Sequence, residues 1–347
     1  MKDYFLSPQA VSRAFDSMAV DRQRSHADTR FALIQHLTAN AGKGEGPHDR
    51  IQWLAIAHTI RQMARQRSGS ALAFLLHQLG PAQGMAGVPS ELGACVDAAL
   101  LWTTSEVPSV RATPCESGWR WQITATCLDL EDHRKADSYL LVAETETSTP
   151  AIFLLSAGLV IGAGRRQAES GALLPASLNA VLAKRCFPLA FDDESPEPAM
   201  IILWFSSLLC GMADRLFSLV KMLYRTCDPR RSPLQSTPPK LHNCLAHIDA
   251  LLLSQALSLR AMHVESQNEN LNVASIQSNA QQVADSAIDA GNLVLSTLRE
   301  LQYSNELDAI TRQVRSIAAV HKLATDSVNV ISFSDSHSAD DEDRLYG

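Results

Sequence analysis

The sequence predicts a mainly helical α+β protein in three parts, followed by an acidic tail. The parts are an amino-terminal helical domain over residues 1–95, a middle β-barrel-like domain over 96–198, a carboxy-terminal four-helix bundle over 199–332 and the tail over 333–347. Three observations predict it. Apolar residues recur at helical spacing up to about residue 95, the period drops to two from about Trp119, and helical stripes return from Ala199 to His321.

In the first part, Ile51, Leu54, His58 and Met63, and then Leu72, Leu75 and Leu79, fall on helix faces. The stretch NAGKGEGPHD before them holds three glycines and a proline in ten residues and reads as a surface loop, and HQLGPAQGMAG marks a further break. In the second part, WRWQITATCLDL alternates and is rich in Trp, Ile and Thr. SYLLVAET and PAIFLLSAGLVIGAG are short apolar runs closed by turn residues, and FPLAFDDESPEP reads as a last strand leading into a linker. The third part opens with the apolar run Ala199–Ala213. Leu241, Leu245, Ile248, Leu252, Gln255, Leu259 and Met262 then step by four and three along one helix face. Val273, Ile276, Ala280, Val283, Ala287, Ala290, Val294, Leu298 and Leu301 make a third stripe, and Leu307, Ile310, Val314, Ile317 and His321 a fourth. Stripes this regular favour nearly antiparallel helices, with seams that close on one another or on a second subunit.

Composition narrows the function. The chain of 347 residues is 46% apolar and 19% charged, ordinary for a globular protein. Its 30 bases and 37 acids give a net charge of −7, and nothing in that balance suggests the dense basic surface that nucleic acid or an anionic membrane would need. Cys95, Cys115, Cys127, Cys186, Cys210, Cys227 and Cys244 form no CxxC pair, so the expectation is reduced cytoplasmic thiols, with neither a disulfide framework nor a zinc site. The first residues lack the apolar core of a secretory signal, and the run Ala199–Ala213, ended by Asp214 and Arg215, is shorter than the ~20 residues of a spanning helix. The tail SDSHSADDEDRLYG carries five acids against one arginine and reads as solvated.

The order of parts, together with local motifs, resembles the acyl-CoA dehydrogenase family over nearly the whole chain. RQRSGSALAFLLHQLG looks like the family's amino-terminal helix ending in a histidine. SGWRWQITATCLDLEDHRKADSYLLVAET looks like the strand, linker and "ADxxLVxA" strand of its β-domain, and FPLAFDDESPEP is similar to its "FDxVxVP" exit. LLCGMADRLFSLVKMLYRTCDPRRSPLQSTPPKLHNCLAHIDALLLSQALSLRAM looks like its first bundle helix, flavin-contacting turn and second bundle helix. The resemblance implies a flavin-dependent oxidoreductase with FAD, or FMN, or a scaffold holding no flavin. The implied substrate is an acyl thioester or a related small organic molecule, and the implied assembly is a homodimer or homotetramer.

Site residues follow from the same resemblance. LWTTSEVPS matches the family's "TEP" type turn through Thr103, Thr104 and Ser105, with the acid shifted. YRTCDPRRSPLQ stands where the family has "RxQFGxPL", keeping Arg225 and Leu234 and adding Arg230 and Arg231, whose guanidinium groups match phosphate oxygens bidentately. STLRELQYS replaces the family's "GGxGY" turn and has no glycine, and the family's "YEGT" glutamate has no match. ITRQVRSIAAVHKLATD looks instead like the dibenzothiophene monooxygenase and 4-hydroxyphenylacetate hydroxylase branch. There His321 would steady a flavin–oxygen adduct or a substrate hydroxyl, beside Arg312 and Arg315.

Each assignment has a plainer counterpart. His321 also fits a core histidine on its stripe, Arg225, Arg230 and Arg231 a solvated basic turn, and Thr103, Thr104 and Ser105 a turn whose hydroxyls satisfy backbone groups. Glu306 reads either as a catalytic acid or as a charge favoured at a helix amino terminus. His242, His247 and His263 splay around their helix and make no metal site, and SAGLVIGAG lacks the GxGxxG order of a dinucleotide turn.

Overall fold

The computed structural model describes residues 48–82, 98–103, 110–115, 120–131, 136–144, 150–156, 176–187, 198–226, 237–267, 272–300 and 310–323. The expected acidic tail and the stretch before residue 48 lie outside them.

Helices α1 (His48–Gln66) and α2 (Ser68–Ala82) open the described chain. α1 buries one stripe, Ile56, Ala57, Ile60 and Ala64, whereas α2 buries every residue from Ala71 to Leu76. A helix apolar all round must be enclosed on all sides. The segment RQRSGSALAFLLHQLG, which reads as one helix, is broken at Arg67, because the Ser68 and Gly69 amides leave the helical ladder and donate to the Glu131 carboxylate. The break expected within HQLGPAQGMAG comes late. α2 continues through Gly80 and Pro81 to Ala82, with Leu79 fully buried beneath its last turns.

Six strands follow: β1 (Ala98–Thr103), β2 (Val110–Pro114), β3 (Arg120–Leu130), β4 (Ser138–Glu144), β5 (Pro150–Ser156) and β6 (Ala176–Phe187). They form a mixed sheet in the order β1-β4-β5-β6-β3-β2, with β1 parallel to β4 and the other neighbours antiparallel. The far half of β3 also pairs with β1, placing Leu101 opposite Leu130 and Thr103 opposite Leu128. The ring β1-β4-β5-β6-β3 therefore closes, while β2 lies along the first half of β3. Closure removes edges that would otherwise recruit another chain. Leu101, Ile123, Leu128, Leu141, Phe153, Leu155 and Leu178 fill the interior, where the Trp121 and Phe153 rings lie 5.9 Å apart.

Burial explains which strands the sequence displays. β3 alternates cleanly, with Ile123 and Ala125 buried and Gln122, Thr124 and Thr126 exposed. β1 has no such period, because Ala99 and Leu101 join the ring's core while Ala98, Leu100 and Trp102 are covered too, on the side where α2 packs. β6 is interrupted by register shifts against β3 and β5 and leaves Leu182 half exposed, so it also lacks the alternating signal.

The remaining elements are α3 (Pro198–Thr226), α4 (Thr237–Glu265), α5 (Val273–Glu300) and α6, residues 310–323. α3 is long and apolar enough to cross a membrane, but 83% of its apolar window is buried inside the protein, so it is a core helix. Asp214 and Arg215 do not end it. The helix runs on for eleven residues to Thr226 because both charges are paired. The stripes on α4, α5 and α6 become buried faces through Leu241, Ile248, Gln255, Leu259 and Met262, through Ile276, Val283, Ala287, Val294 and Leu298, and through Ile310, Val314 and Ile317. Gly291 lets α5 approach α6, since a Cβ there would come within 2.8 Å of Val314 Cγ1.

Candidate functional site

Two polar clusters tie the helices to the sheet and to each other. The first centres on Glu131, at the end of β3, whose side chain is wholly buried. Its Oε1 accepts the Ser68 amide at 2.6 Å and pairs with the Arg215 guanidinium of α3. Its Oε2 accepts the Gly69 amide at 2.9 Å and the Leu100 amide of β1 at 3.3 Å. The Glu131 amide donates to the Leu100 carbonyl at 3.0 Å. One carboxylate thus satisfies free amides at the start of α2, where the helix macrodipole also favours negative charge, and fixes that start against β1 and α3. Ser70 adds to this junction, its hydroxyl bridging the Ala98 carbonyl and amide at 3.3 and 3.2 Å.

The second cluster lies among α1, α3 and α4. Asp214 Oδ2 accepts hydrogen bonds from Arg61 Nε and Arg65 Nε, each at 2.9 Å. Burial works against the Arg61 charge, and the Asp214 carboxylate more than offsets it, raising the guanidinium above its usual range. Burial pushes the neighbouring Cys210 thiol up to about 12, which leaves it protonated and inert as a nucleophile. His263 is pushed down to about 4 by burial and by the positive fields of Arg61 and His58. His58 is itself lowered by burial, Arg61 and Arg65. The Nε2 atoms of both imidazoles are buried without a hydrogen-bond partner among the described residues.

This arrangement sets a pH dependence. An unfolded histidine titrates near 6.5, so between that pH and about 4 the unfolded chain binds more protons than the folded one. Stability is complete above about pH 6.5 and falls as the pH drops toward 4. His263 alone should remove on the order of 2 kcal/mol between pH 7 and pH 5. Urea midpoints at the two pH values should differ, and His263→Gln should flatten the difference. A glutamine variant with the full pH slope would show that another group controls it.

The residues selected from the sequence fall on several elements. His321 sits on α6, about a quarter exposed, with its Nε2 4.0 Å from Asp285 Oδ1 of α5. Arg225 is in the last turn of α3. Thr103 is the final residue of β1, paired within the closed ring, and so belongs to the sheet rather than to a turn before it. Thr104, Ser105, Arg230, Arg231 and Glu306 lie outside the described residues. Of STLRELQYS, the stretch matched to the glycine turn of the resembled family, Ser296–Glu300 is the last turn of α5, with the Ser296 and Thr297 hydroxyls donating to the Leu293 carbonyl at 2.9 and 2.8 Å, and residues 301–304 lie outside the described residues. Among the described residues no group of three or more His, Cys, Asp or Glu could hold a metal ion.

Glu131, Trp102 and the arginine–aspartate cluster are not selected by motif reading. A faint signal for two of them exists, in that Asp214 and Arg215 interrupt fifteen residues without a charge. Adjacent opposite charges in such a place need partners, and here those partners come from α1 and β3. Trp102 is 3% exposed and its indole N–H has no acceptor among the described residues. A buried donor left unpaired costs about 1–3 kcal/mol.

No protein-family profile matches the chain, and no curated protein sequence matches it. Among solved structures it is similar to acyl-CoA dehydrogenase-like proteins. FMN-bound TdsC from a Paenibacillus species aligns at 14% identity and TM-score 0.44, over 93% of this chain and 95% of that one. Butyryl-CoA dehydrogenase from Megasphaera elsdenii aligns at 12% identity and TM-score 0.46, over 96% and 100%. Nitroalkane oxidase from Podospora anserina aligns at 12% identity and TM-score 0.44, over 92% of each.

Proposed function

We propose that the chain is a cytoplasmic flavin-dependent oxidoreductase, acting on an acyl thioester or a related small organic substrate. The observation that carries this reading is Trp102. Its buried N–H has no acceptor among the described residues and lies one residue before Thr103, at the strand end where the motif resemblance puts the flavin. A flavin ring presents carbonyl and ring-nitrogen acceptors, so the strand end suits it. Further support comes from the elements that the motif-bearing segments form. The stretch around "ADxxLVxA" folds as β3 and β4, and the stretch around the arginine turn begins in α3 and ends in α4. A bound flavin would supply a two-electron acceptor. On this reading the Trp102 N–H and the hydroxyls of Thr103, Thr104 and Ser105 orient the ring, Arg225, Arg230 and Arg231 bind phosphate, and His321 positions the substrate, with Glu306 as the acid.

One observation favours a second reading, a scaffold without flavin. STLRELQYS holds no glycine to permit close approach of the backbone to a dinucleotide, and its described part, Ser296–Glu300, is regular helix. FMN, which lacks the adenosine half, makes no demand on such a turn. The test is titration of the purified protein with FAD and FMN, followed by absorbance. Flavin-type bands and saturable uptake are expected. Arg225→Ala should weaken affinity by about tenfold or more, since hydrogen bonds to charged groups contribute ~1.5–3 kcal/mol, and Trp102→Phe by a few-fold, since a neutral hydrogen bond contributes ~0.5–1.5 kcal/mol. His321→Ala should leave uptake nearly unchanged and lower turnover. A colourless protein that takes up neither flavin would leave the scaffold reading.

A further inference from the structure

The described helix α6, residues 310–323, carries Arg312, Arg315, His321 and Lys322 and no acid, in a chain whose net charge is −7. At about 100° per residue, Arg312, Arg315 and Lys322 fall within roughly 80° of one another. Arg315 and Lys322 are exposed. Arg312 is half-buried, and its Nε is buried without a hydrogen-bond partner among the described residues. The other sides of α6 are taken. Ile310, Gln313, Val314, Ile317, Val320 and Leu323 are buried, with Gln313 donating to the Met212 carbonyl of α3 and Val314 lying against Gly291 of α5. The Asp285 carboxylate stands beside His321, about 120° round the helix from Arg315. Small Ala318 and Ala319 complete the solvent side, so α6 presents a basic stripe with room along it.

We infer that this stripe holds the chain's own acidic segment, Asp340, Asp341, Glu342 and Asp343, folded back along α6. Charge and length both point to it. Four consecutive carboxylates meet three cations that share one side of a helix. Sixteen residues, 324–339, join Leu323 to Asp340, and even a coiled chain of that length spans roughly 20 Å. The path back from Leu323 to Arg312 is roughly 17 Å along the helix. A tether matched to its span gives a local concentration in the millimolar range, which lets individually weak surface ion pairs act together. The contact does not depend on whether a flavin binds.

Carbodiimide coupling of the full chain at low salt, read by peptide mass spectrometry, tests the assignment, because the reagent joins an amine only to a carboxylate in contact with it. A link from Lys322 to one of residues 340–343 is expected. Mixing heavy-isotope and light-isotope protein should show that it forms within one chain. Its yield should fall several-fold when the ionic strength is raised to about 1 M, where surface charges are screened within ~3 Å. Arg315→Glu should lower it several-fold at low salt with an unchanged helical circular dichroism spectrum, since that side chain is exposed. An acidic segment that couples no more to Lys322 than to the exposed Lys221 and Lys240 would overturn the inference. A Lys322 link indifferent to salt and to Arg315→Glu would also overturn it, as would a link formed only between chains.

Discussion

Glu131→Gln should lower the unfolding free energy by about 3–5 kcal/mol, the range for breaking a buried ion pair from one side. The carboxylate accepts from Ser68, Gly69 and Leu100 and pairs with Arg215, with no solvent to replace any of them. An amide offers one acceptor oxygen, and its NH2 would face an N–H or the guanidinium. A donor is then left against a donor, and the Arg215 charge is left uncompensated. Chemical denaturation measures the loss. Arg215→Met in the glutamine background should recover part of it by removing the stranded charge. A glutamine variant within 1 kcal/mol of wild type would contradict the assignment of Glu131 as the junction of α2, the sheet and α3.

Gly211→Ala should be nearly as damaging for a different reason. α3 crosses α1 at this glycine so closely that a Cβ would run into the Arg61 carbonyl oxygen and come within 2.6 Å of Ala64 Cβ. Neither is the flexible end of a side chain, so the helices must separate. That opens packing along the stripe from Ile56 to Ala64 and moves Arg61 and Arg65 away from Asp214. Overpacking typically costs about 1–3 kcal/mol, and strain that only a helix shift relieves belongs at or above the upper end. The thermal midpoint should fall accordingly. Gly69→Ala is the matching case at the sheet, where a Cβ would lie 2.5 Å from the Ala98 oxygen and 2.6 Å from Ala99 Cα. A normal midpoint for Gly211→Ala would mean that α1 and α3 are not held at this distance in solution.

The two polar clusters and the two glycines were not legible in the sequence, for a reason particular to them. Glu131 ends a strand whose alternation is plain, yet nothing in LDLED distinguishes it as a buried acceptor from the acids beside it. Its partners stand 63, 62 and 31 residues away in one direction and 84 in the other. Trp102 lies in AALLWT, a strand covered on both faces, where the period that reveals a strand is absent. By contrast, most described members of the stripes on α4, α5 and α6, and the alternation of β3, reappear as buried faces.

The sequence by itself determined the periods, and through them which residues turn inward on the bundle helices and on β3. Hydrophobic burial depends on local spacing, which a linear chain displays openly. Only the tertiary structure decided that the strands close into a ring, that Arg67 breaks a continuous helix and that Asp214 and Arg215 lie within a helix rather than at its end. It also decided that one face of α4 is left uncovered by the described residues. Each of these depends on which distant groups meet, and hydrogen bonds, ion pairs and close backbone approach act over a few ångströms in space while their partners are scattered along the chain.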